Sequence, residues 1–288
     1  MGEKTNIKWC TSTFNPWIGC TKVGPGCDHC YAEVQDSRKR WGDTTHWGVG
    51  VARYRTSASN WAQPIAWNKK AAASGKVHRV FCASLADVFD NEVTDKWRDD
   101  FYWLIMQTPY LDWLIVTKRI GNVAKMWPSI TTNALPNVRI LITVCNQEEA
   151  DRDIPKLLEL PCKNGVSYEP ALASVDWSRF QPFCRGGTVT QAARGILSGA
   201  ISWVIIGGES GQKARPFDLA WARSTVAQCK AAGVPVFVKQ LGAQAVEWEP
   251  GGHIDGGGSR VPLIWKDRAG ADPSEWPDSL RVQEFPLR

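Results

Sequence analysis

Three of the nine cysteines lie close together, in the glycine- and proline-containing segment 13–33. Cys20, Cys27 and Cys30 form the pattern C-x6-C-x2-C in that segment. Thiolates at such spacing suit zinc or an iron–sulfur cluster. A closed structural zinc site needs four ligands, whereas three cysteines leave one iron of a [4Fe–4S] cluster open. An iron without a protein ligand would indicate that the cluster takes part in a reaction.

The other six cysteines are isolated in the sequence. Five of them stand in apolar or strand-like surroundings, where a small buried hydrophobic residue is the favoured interpretation: Cys82, Cys145, Cys162, Cys184 and Cys229. Either Cys10 or His29 could supply the fourth ligand of a zinc site. The zinc and cluster interpretations therefore both stay open at this point.

Basic and aromatic residues are concentrated directly after the cysteine segment. Residues 38–79 contain nine lysines and arginines against the single acid Asp43, in a chain whose net charge is only +5. Four tryptophans and one tyrosine lie among these cations: Trp41, Trp47, Tyr54, Trp61 and Trp67. Cations that bind phosphates and aromatic rings that stack on bases are typical of a nucleic-acid-binding surface. A solvated insertion whose tryptophans pack inward is the alternative.

The overall composition excludes several classes of protein. With 288 residues, 43% hydrophobic and 22% charged, the chain is expected to fold as one large globular domain or two small ones. Its apolar runs are far shorter than a membrane span, and its polar start has no signal-peptide pattern. We therefore expect a cytoplasmic location and no contact with membranes.

Short apolar runs alternate with helical patterns from residue 80 onward, which indicates βα units and a mostly parallel sheet. Six strands are predicted, at Val80–Ser84, Trp113–Thr117, Val138–Val144, Gly165–Tyr168, Trp203–Ile206 and Pro235–Lys239. A seventh is predicted near Ile7–Trp9. Helices are predicted at Thr94–Gln107, Asn122–Trp127, Gln147–Leu160, Val189–Leu197 and Leu219–Ala232. Thr94 and Asp218 suit helix N-caps, and Gly233 suits a helix end.

Consecutive βα units without a glycine-rich phosphate loop favour a partial or full TIM-type (β/α) barrel over a doubly wound sheet. The α/β barrel is expected to span residues 1–242, with the basic tryptophan-rich insertion at about 37–79. Residues 243–288 are expected to form an irregular or hairpin-like extension, because clustered glycines and prolines interrupt the periodicity there.

Polar residues recur at the ends of the predicted strands: Ser84, Asp87, Lys118, Arg119, Asn146, Glu169, Glu209, Lys239 and Gln240. A barrel collects the C-terminal ends of its strands on one rim, where active sites form. We expect Asp87, Lys118, Glu169, Glu209 and Lys239 to line a single cavity that faces the cysteine segment.

Several motifs together resemble the phage-associated three-Cys-motif proteins, a radical SAM-like family distantly similar to spore photoproduct lyase-type enzymes. The motifs are 15–33 (NPWIGCTKVGPGCDHCYAE), 83–89 (ASLADVF), 116–119 (VTKR), 168–170 (YEP), 206–211 (IGGESG), 214–216 (ARP) and 238–242 (VKQLG). The match extends in order over roughly residues 5–242. It departs from the usual radical SAM spacing of C-x3-C-x2-C, since six residues separate the first two cysteines.

The resemblance implies a [4Fe–4S] cluster on Cys20, Cys27 and Cys30, with S-adenosylmethionine bound at the open iron and cleaved reductively. It places His29 near the adenine; the alternative for His29 is a hydrogen bond that stabilises the loop. The glycine-glycine-glutamate motif that contacts the amino group of S-adenosylmethionine in such enzymes follows a late strand here. Ser84 and Asp87 are therefore better placed for that amino group, and Glu209 for substrate or ribose.

Their positions at the predicted strand ends predict catalytic roles for Lys118, Glu169, Glu209 and Lys239. The resemblance further implies a need for an electron donor. A DNA or RNA substrate would bind through Arg38–Arg79, in a phage or mobile-element setting within the cytoplasm of a bacterial host. A partner protein is possible. The competing hypothesis is a zinc-stabilised nucleic-acid-binding protein without catalysis.

Overall fold

The computed structural model describes residues 5–127, 135–180, 201–249 and 259–287. Its strands, in chain order, are β1 Ser12–Thr13, β2 Trp17–Ile18, β3 Tyr54–Arg55, β4 His78–Cys82, β5 Leu111–Thr117, β6 Val138–Thr143, β7 Lys163–Tyr168, β8 Val204–Gly207, β9 Phe217–Asp218, β10 Val236–Gln240, β11 Ala245–Glu249 and β12 Ser259–Pro262. Its helices are α1 Tyr31–Asp36, α2 Ala58–Ser74, α3 Asp95–Met106, α4 Ile120–Met126, α5 Gln147–Leu158 and α6 Leu219–Ala232.

Seven parallel strands form the central sheet, in the order β1-β4-β5-β6-β7-β8-β10. The strand order follows the chain without the reversal that defines a doubly wound sheet. The sheet curls into a half-barrel, so the predicted α/β fold, a partial TIM-type barrel, is confirmed. Every residue of β6 is buried, as expected for a central strand covered on both faces.

The middle of the half-barrel is filled by apolar side chains. Trp9 packs there with inward-facing side chains of four strands and with Trp203 in one cluster; the strand members are Leu114, Leu141, Ile205 and Phe237. Nearer the C-terminal ends of the strands, the inward-facing positions are Thr143, Ser167 and Lys239. Apolar packing thus fills the interior, and polar groups face the C-terminal edge of the sheet.

Most sequence-based elements agree with the structure. The six predicted strands and four of the five predicted helices are present, with ends shifted by at most two residues. The caps are confirmed, because Thr94 and Asp218 accept hydrogen bonds from Trp97 N and Ala220 N, and Gly233 has φ 67°. The predicted helix Val189–Leu197 lies outside the described residues.

The seventh strand was predicted at the wrong place. It lies at Ser12–Thr13, where it pairs with β4, rather than at Ile7–Trp9. Trp9 is only 2% exposed because it packs into the apolar interior of the half-barrel. Its hydrophobic neighbourhood therefore reflects a plug and not a strand.

The C-terminal segment is packed against the barrel. Strands β11 and β12 form an antiparallel hairpin, and β11 also pairs with β9. Further on, Val238 N of the edge strand β10 donates to Val282 O, and Glu284 N donates to Val236 O. The tail thus satisfies backbone groups of a strand that would otherwise be an open sheet edge. No helix in the described ranges has the length and hydropathy of a membrane span.

Gly165 offers a test of the packing inside the half-barrel. A methyl group at this position would lie 2.6 Å from Leu141 Cδ2 and 2.9 Å from Trp203 O. We expect Gly165→Ala to lower the free energy of unfolding by about 1–3 kcal/mol, measured by chemical denaturation, because overpacking strains the core. Gly121→Ala is the control, since its methyl group would enter open space in α4. Equal stability of the two variants would contradict this packing.

Candidate functional site

The segment that carries Cys20, Cys27 and Cys30, here called the cysteine loop, lies against the C-terminal edge of the parallel sheet. Asn15, which is buried, anchors its start: Leu85 N donates to Asn15 Oδ1 at 2.7 Å, and Asn15 Nδ2 donates to Ser84 Oγ at 2.9 Å. A 3-10 turn covers Pro25–Cys27, and α1 begins directly after Cys30. The loop is therefore held by the segment that follows β4, the strand paired with β1.

The three loop cysteines face a common cavity. Its lining also includes three of the residues predicted from strand ends, which are Ser84, Asp87 and Lys118. The lining set in full is Cys20, Thr21, Lys22, Val23, Gly26, Cys27, Cys30, Tyr31, Ala32, Trp47, Phe81, Ala83, Ser84, Ala86, Asp87, Val116, Thr117, Lys118 and Thr143. The cavity thus extends from the thiols to inward-facing side chains of β4, β5 and β6.

Asp87 ties two neighbouring strand ends together. Its carboxylate accepts hydrogen bonds from Thr117 Oγ1 at 2.9 Å, Phe89 N at 2.9 Å and Lys118 N at 3.0 Å. These bonds fix the backbone from which Lys118 and Arg119 project. They also occupy much of the accepting capacity of this carboxylate.

Lys118 and Arg119 direct positive charge at different cysteines. Burial by itself would lower the pKa of Lys118, but the facing thiols of Cys27, Cys145 and Cys30 hold its pKa above the usual value. Arg119 Nη2 donates instead to Cys20 Sγ, at 3.6 Å. Two adjacent cations after β5 therefore face the thiols that would bind a metal as thiolates.

Cys20 is a partly buried thiol in a mixed charge environment. Burial raises its pKa to about 12, with a further rise from Asp87 and Asp90 and an opposing effect of Arg119. A raised pKa means that the thiol keeps its proton at neutral pH until a metal displaces it. Metal binding at this site would release protons.

Cys145 follows β6 and lies beside the cysteine loop. A methyl group on Gly26 would come within 2.5 Å of Cys145 Sγ, so glycine allows the loop to approach this thiol. Glu149 at the start of α5 accepts a hydrogen bond from Cys145 N at 2.8 Å. The sequence interpretation as a small buried residue is confirmed for Cys145, although its position beside the loop was not foreseen.

An ionic cluster joins the cysteine loop to the end of β8. His29 Nδ1 lies 3.1 Å from Glu209 Oε2, and Arg215 Nε lies 3.1 Å from Glu209 Oε1. Arg215 also donates to Asp28 Oδ2 at 3.2 Å and to Pro25 O at 2.8 Å. Burial would raise the pKa of Glu209, but the bonds from Arg215 and His29 hold its pKa below the usual value. Glu209 thus stays charged and fastens the loop.

Glu169 and Lys239 form a second pair, which joins the ends of β7 and β10 across the intervening strand β8. Lys239 Nζ lies 2.9 Å from Glu169 Oε1, and Ser167 Oγ donates to Glu169 Oε2 at 3.1 Å. In the described part of the chain, the buried hydroxyl of Thr143 has no hydrogen-bond partner, and it lines the cavity that the cysteines share. A polar ligand in the barrel mouth could satisfy this hydroxyl and exchange a proton with Glu169 or Lys239.

The predicted residues therefore fall into three groups. The cysteines, Ser84, Asp87 and Lys118 share one cavity; His29 pairs with Glu209, and Glu169 pairs with Lys239. The last two pairs lie outside the described lining of that cavity.

Several side chains of the site were missed from the sequence. In the sequence, Arg119 stands out only as a strand-end residue and Arg215 only as part of a motif. Both contact the cysteine loop. Their partners are 98 and 190 residues away in the chain, so no local pattern could have paired them.

The basic segment 38–79 differs from the sequence-based expectation. Arg53 is buried and bonds Asp90 and the carbonyls of the loop around His46, while Arg55 pairs with Asp100 and covers Trp61. These arginines are occupied by protein groups, so Arg53 cannot contact a phosphate.

Three of the five aromatic residues of that segment also pack inward, whereas Tyr54 is exposed. Trp47 and Trp67 are buried, and Trp61 packs edge-on against Phe14 in the main core. Burial removes Trp47 and Trp67 from any surface on which bases could stack. Exposed cations remain at Arg38, Lys39 and Arg40, directly after α1.

The chain belongs to the family described as "Protein of unknown function (DUF5131)", whose family model matches residues 4–270. No curated protein matches the chain.

Solved structures of spore photoproduct lyase are similar in outline. A cysteine-to-serine mutant of that enzyme is 12% identical, with a TM-score of 0.46 over 96% of this chain and 74% of that chain. A double mutant with bound AdoMet and dinucleoside spore photoproduct is 13% identical, with a TM-score of 0.45 over 93% and 72%. A further complex with dinucleoside spore photoproduct is 12% identical, with a TM-score of 0.41 over 93% and 70%.

Replacement of Arg53 tests the buried charge cluster beside the loop. We expect Arg53→Gln to lower the free energy of unfolding by about 3–5 kcal/mol, because it leaves Asp90 buried with one ionic partner fewer. Arg38→Gln should change it by less than about 0.5 kcal/mol, since Arg38 is exposed. Chemical denaturation measures both. An Arg53→Gln protein as stable as the Arg38→Gln protein would refute the buried role of Arg53.

Proposed function

We propose that this protein is a radical SAM-like iron–sulfur enzyme, with Cys20, Cys27 and Cys30 as the ligands of a [4Fe–4S] cluster. The observation that carries the proposal is that the three thiols face one cavity at the C-terminal edge of a parallel half-barrel. When bound, the cluster with S-adenosylmethionine at its open iron supplies reductive cleavage to methionine and a 5′-deoxyadenosyl radical.

The arrangement of side chains suits a cluster better than a single zinc ion. In the part of the chain that the structure describes, no three His, Cys, Asp or Glu side chains are grouped to hold one metal ion. A cluster instead binds each thiolate through a different iron, so its ligands need only surround a common space.

The two residues that could supply a fourth zinc ligand also have other hydrogen-bond partners. Cys10 Sγ donates to Ile7 O, and His29 Nδ1 faces Glu209. The zinc-stabilised nucleic-acid-binding protein therefore ranks second.

The surrounding residues have distinct tasks in this proposal. Lys118 places a cation beside Cys27 and Cys30, and Asp87 holds the backbone of Lys118 in position. Ser84 and Asp87 line the cavity where S-adenosylmethionine would lie, and His29 stays at the loop through Glu209. Glu169 and Lys239 bind substrate at the barrel mouth and hold a proton for exchange, next to the free Thr143 hydroxyl.

We infer a nucleic acid or nucleotide as the substrate class. Arg38, Lys39 and Arg40 are exposed, and the short helix α1 alone separates them from Cys30. A helix of this length spans roughly 9 Å, so a bound phosphate chain would pass close to the cavity.

The proposed setting is the reducing cytoplasm of a bacterial host that carries a phage or mobile element. Such a setting suits free thiols and an electron donor, and it allows for a partner protein.

Anaerobic reconstitution tests the proposed function. We expect the wild-type protein to take up iron and sulfide and to form 5′-deoxyadenosine from S-adenosylmethionine under reducing conditions. Cys20→Ala, Cys27→Ala and Cys30→Ala should each abolish both properties. Cys229→Ala is the matched control, because it removes a buried cysteine in α6 away from the loop.

Two results would reject the proposal. One is full iron and sulfide content in the variant lacking all three loop cysteines. The other is a colourless wild-type protein that holds stoichiometric zinc after anaerobic purification.

Salt dependence tests the inferred substrate class separately. The joint change of Arg38, Lys39 and Arg40 to Gln should weaken retention of single-stranded DNA or RNA, and should flatten its dependence on salt by about one logarithmic unit per lost phosphate contact. Lys230→Gln, on exposed α6 surface, should leave that slope unchanged. Unchanged binding in the triple variant, or salt-independent binding of the wild type, would point to a small-molecule substrate.

A further inference from the structure

Arg119 is held rigidly at the first cysteine of the loop. Its Nη2 donates to Cys20 Sγ at 3.6 Å and to the adjacent Thr21 O at 2.6 Å. Its side chain is only 8% exposed. The guanidinium group therefore cannot turn into solvent, and its charge stays next to the Cys20 sulfur.

Arg119 stands among buried carboxylates. Asp90 Oδ2 lies 3.4 Å from Arg119 Nη2 and 3.1 Å from Arg53 Nη2. Asp87 Oδ2 lies 4.0 Å from Arg119 Nε and also interacts with Lys118. Of these cations, Arg119 has the hydrogen bond to Cys20, so its loss would remove a positive charge in direct contact with this sulfur and leave the carboxylates less compensated there.

The hydrogen bond singles out one ligand of the proposed cluster. Lys118 acts on Cys27 and Cys30 through its charge, whereas Arg119 has a directed bond to Cys20. Hydrogen bonds to ligating sulfur and the net charge nearby are among the means by which a protein sets the reduction potential of an iron–sulfur cluster.

We propose that Arg119 is a positioning residue that raises the reduction potential of a cluster bound through Cys20. Reduction adds one electron to the cluster, and the extra negative charge is stabilised by a nearby cation and by a donor to the ligating sulfur. The proposal rests on the proposed function. It goes further in assigning to Arg119 the task of making the cluster easier for the electron donor to reduce.

A redox titration followed by electron paramagnetic resonance tests this role. Reconstituted wild type, R119Q and R119K are compared at equal iron and sulfide content. We expect R119Q to shift the midpoint potential to a more negative value. R119K should shift it less, because lysine keeps the charge but cannot reproduce the guanidinium bonds to Cys20 and Thr21 together.

R98Q is the matched control. Arg98 is also buried and donates to Asp90 O at 3.2 Å, so it supports the same segment without contacting a cysteine. Replacement of Arg98 should leave the midpoint potential of the cluster unchanged. If R119Q takes up no cluster, the midpoint potential of R119K compared with that of the wild type tests the role of Arg119 instead.

Three results would overturn the inference. In the first, the Arg119 variants have the wild-type potential at full cluster content, which leaves the proposed function intact. In the second, R98Q shifts the potential as much as R119Q, so that general loosening explains the change. In the third, the wild type takes up no cluster, and the proposed function fails as well.

Discussion

Buried charge at Asp90 joins the parts of this protein that form the candidate site. Its carboxylate accepts hydrogen bonds from Thr21 N of the cysteine loop and from Arg53 of the basic segment, and it pairs with Arg119 after β5. A buried carboxylate must be compensated by such partners, because desolvation without pairing costs several kcal/mol. The requirement fixes three distant segments against one another. The position of Cys20 follows from it.

The half-barrel supplies the second constraint. Parallel strands in chain order bring all C-terminal strand ends to one edge, and Trp9 with its apolar neighbours fills the interior beneath that edge. Thr143, Glu169 and Lys239 lie on the side that faces the cysteine loop, where a ligand could bond to the unpartnered Thr143 hydroxyl and reach the Glu169–Lys239 pair. The loop is fastened across this edge by Glu209 with its two basic partners.

Local patterns predicted the local features well. The strands, the caps at Thr94 and Asp218 and the glycine end of α6 depend on nearest neighbours and on apolar periodicity, both visible in the sequence. Pairings between distant residues were not visible. Arg53 looked like a phosphate contact because its carboxylate partner lies 37 residues further on. Trp9 looked like part of a strand because a buried plug has the same hydrophobicity.

The central claim is that the three loop cysteines hold a cluster with one iron left open. Mössbauer spectroscopy of protein reconstituted with isotopically enriched iron tests it most directly. Addition of S-adenosylmethionine should change the signal of one iron of the cluster and leave the three thiolate-bound irons as they were. Spectra that stay identical after the addition, in a protein with full cluster content, would contradict the account.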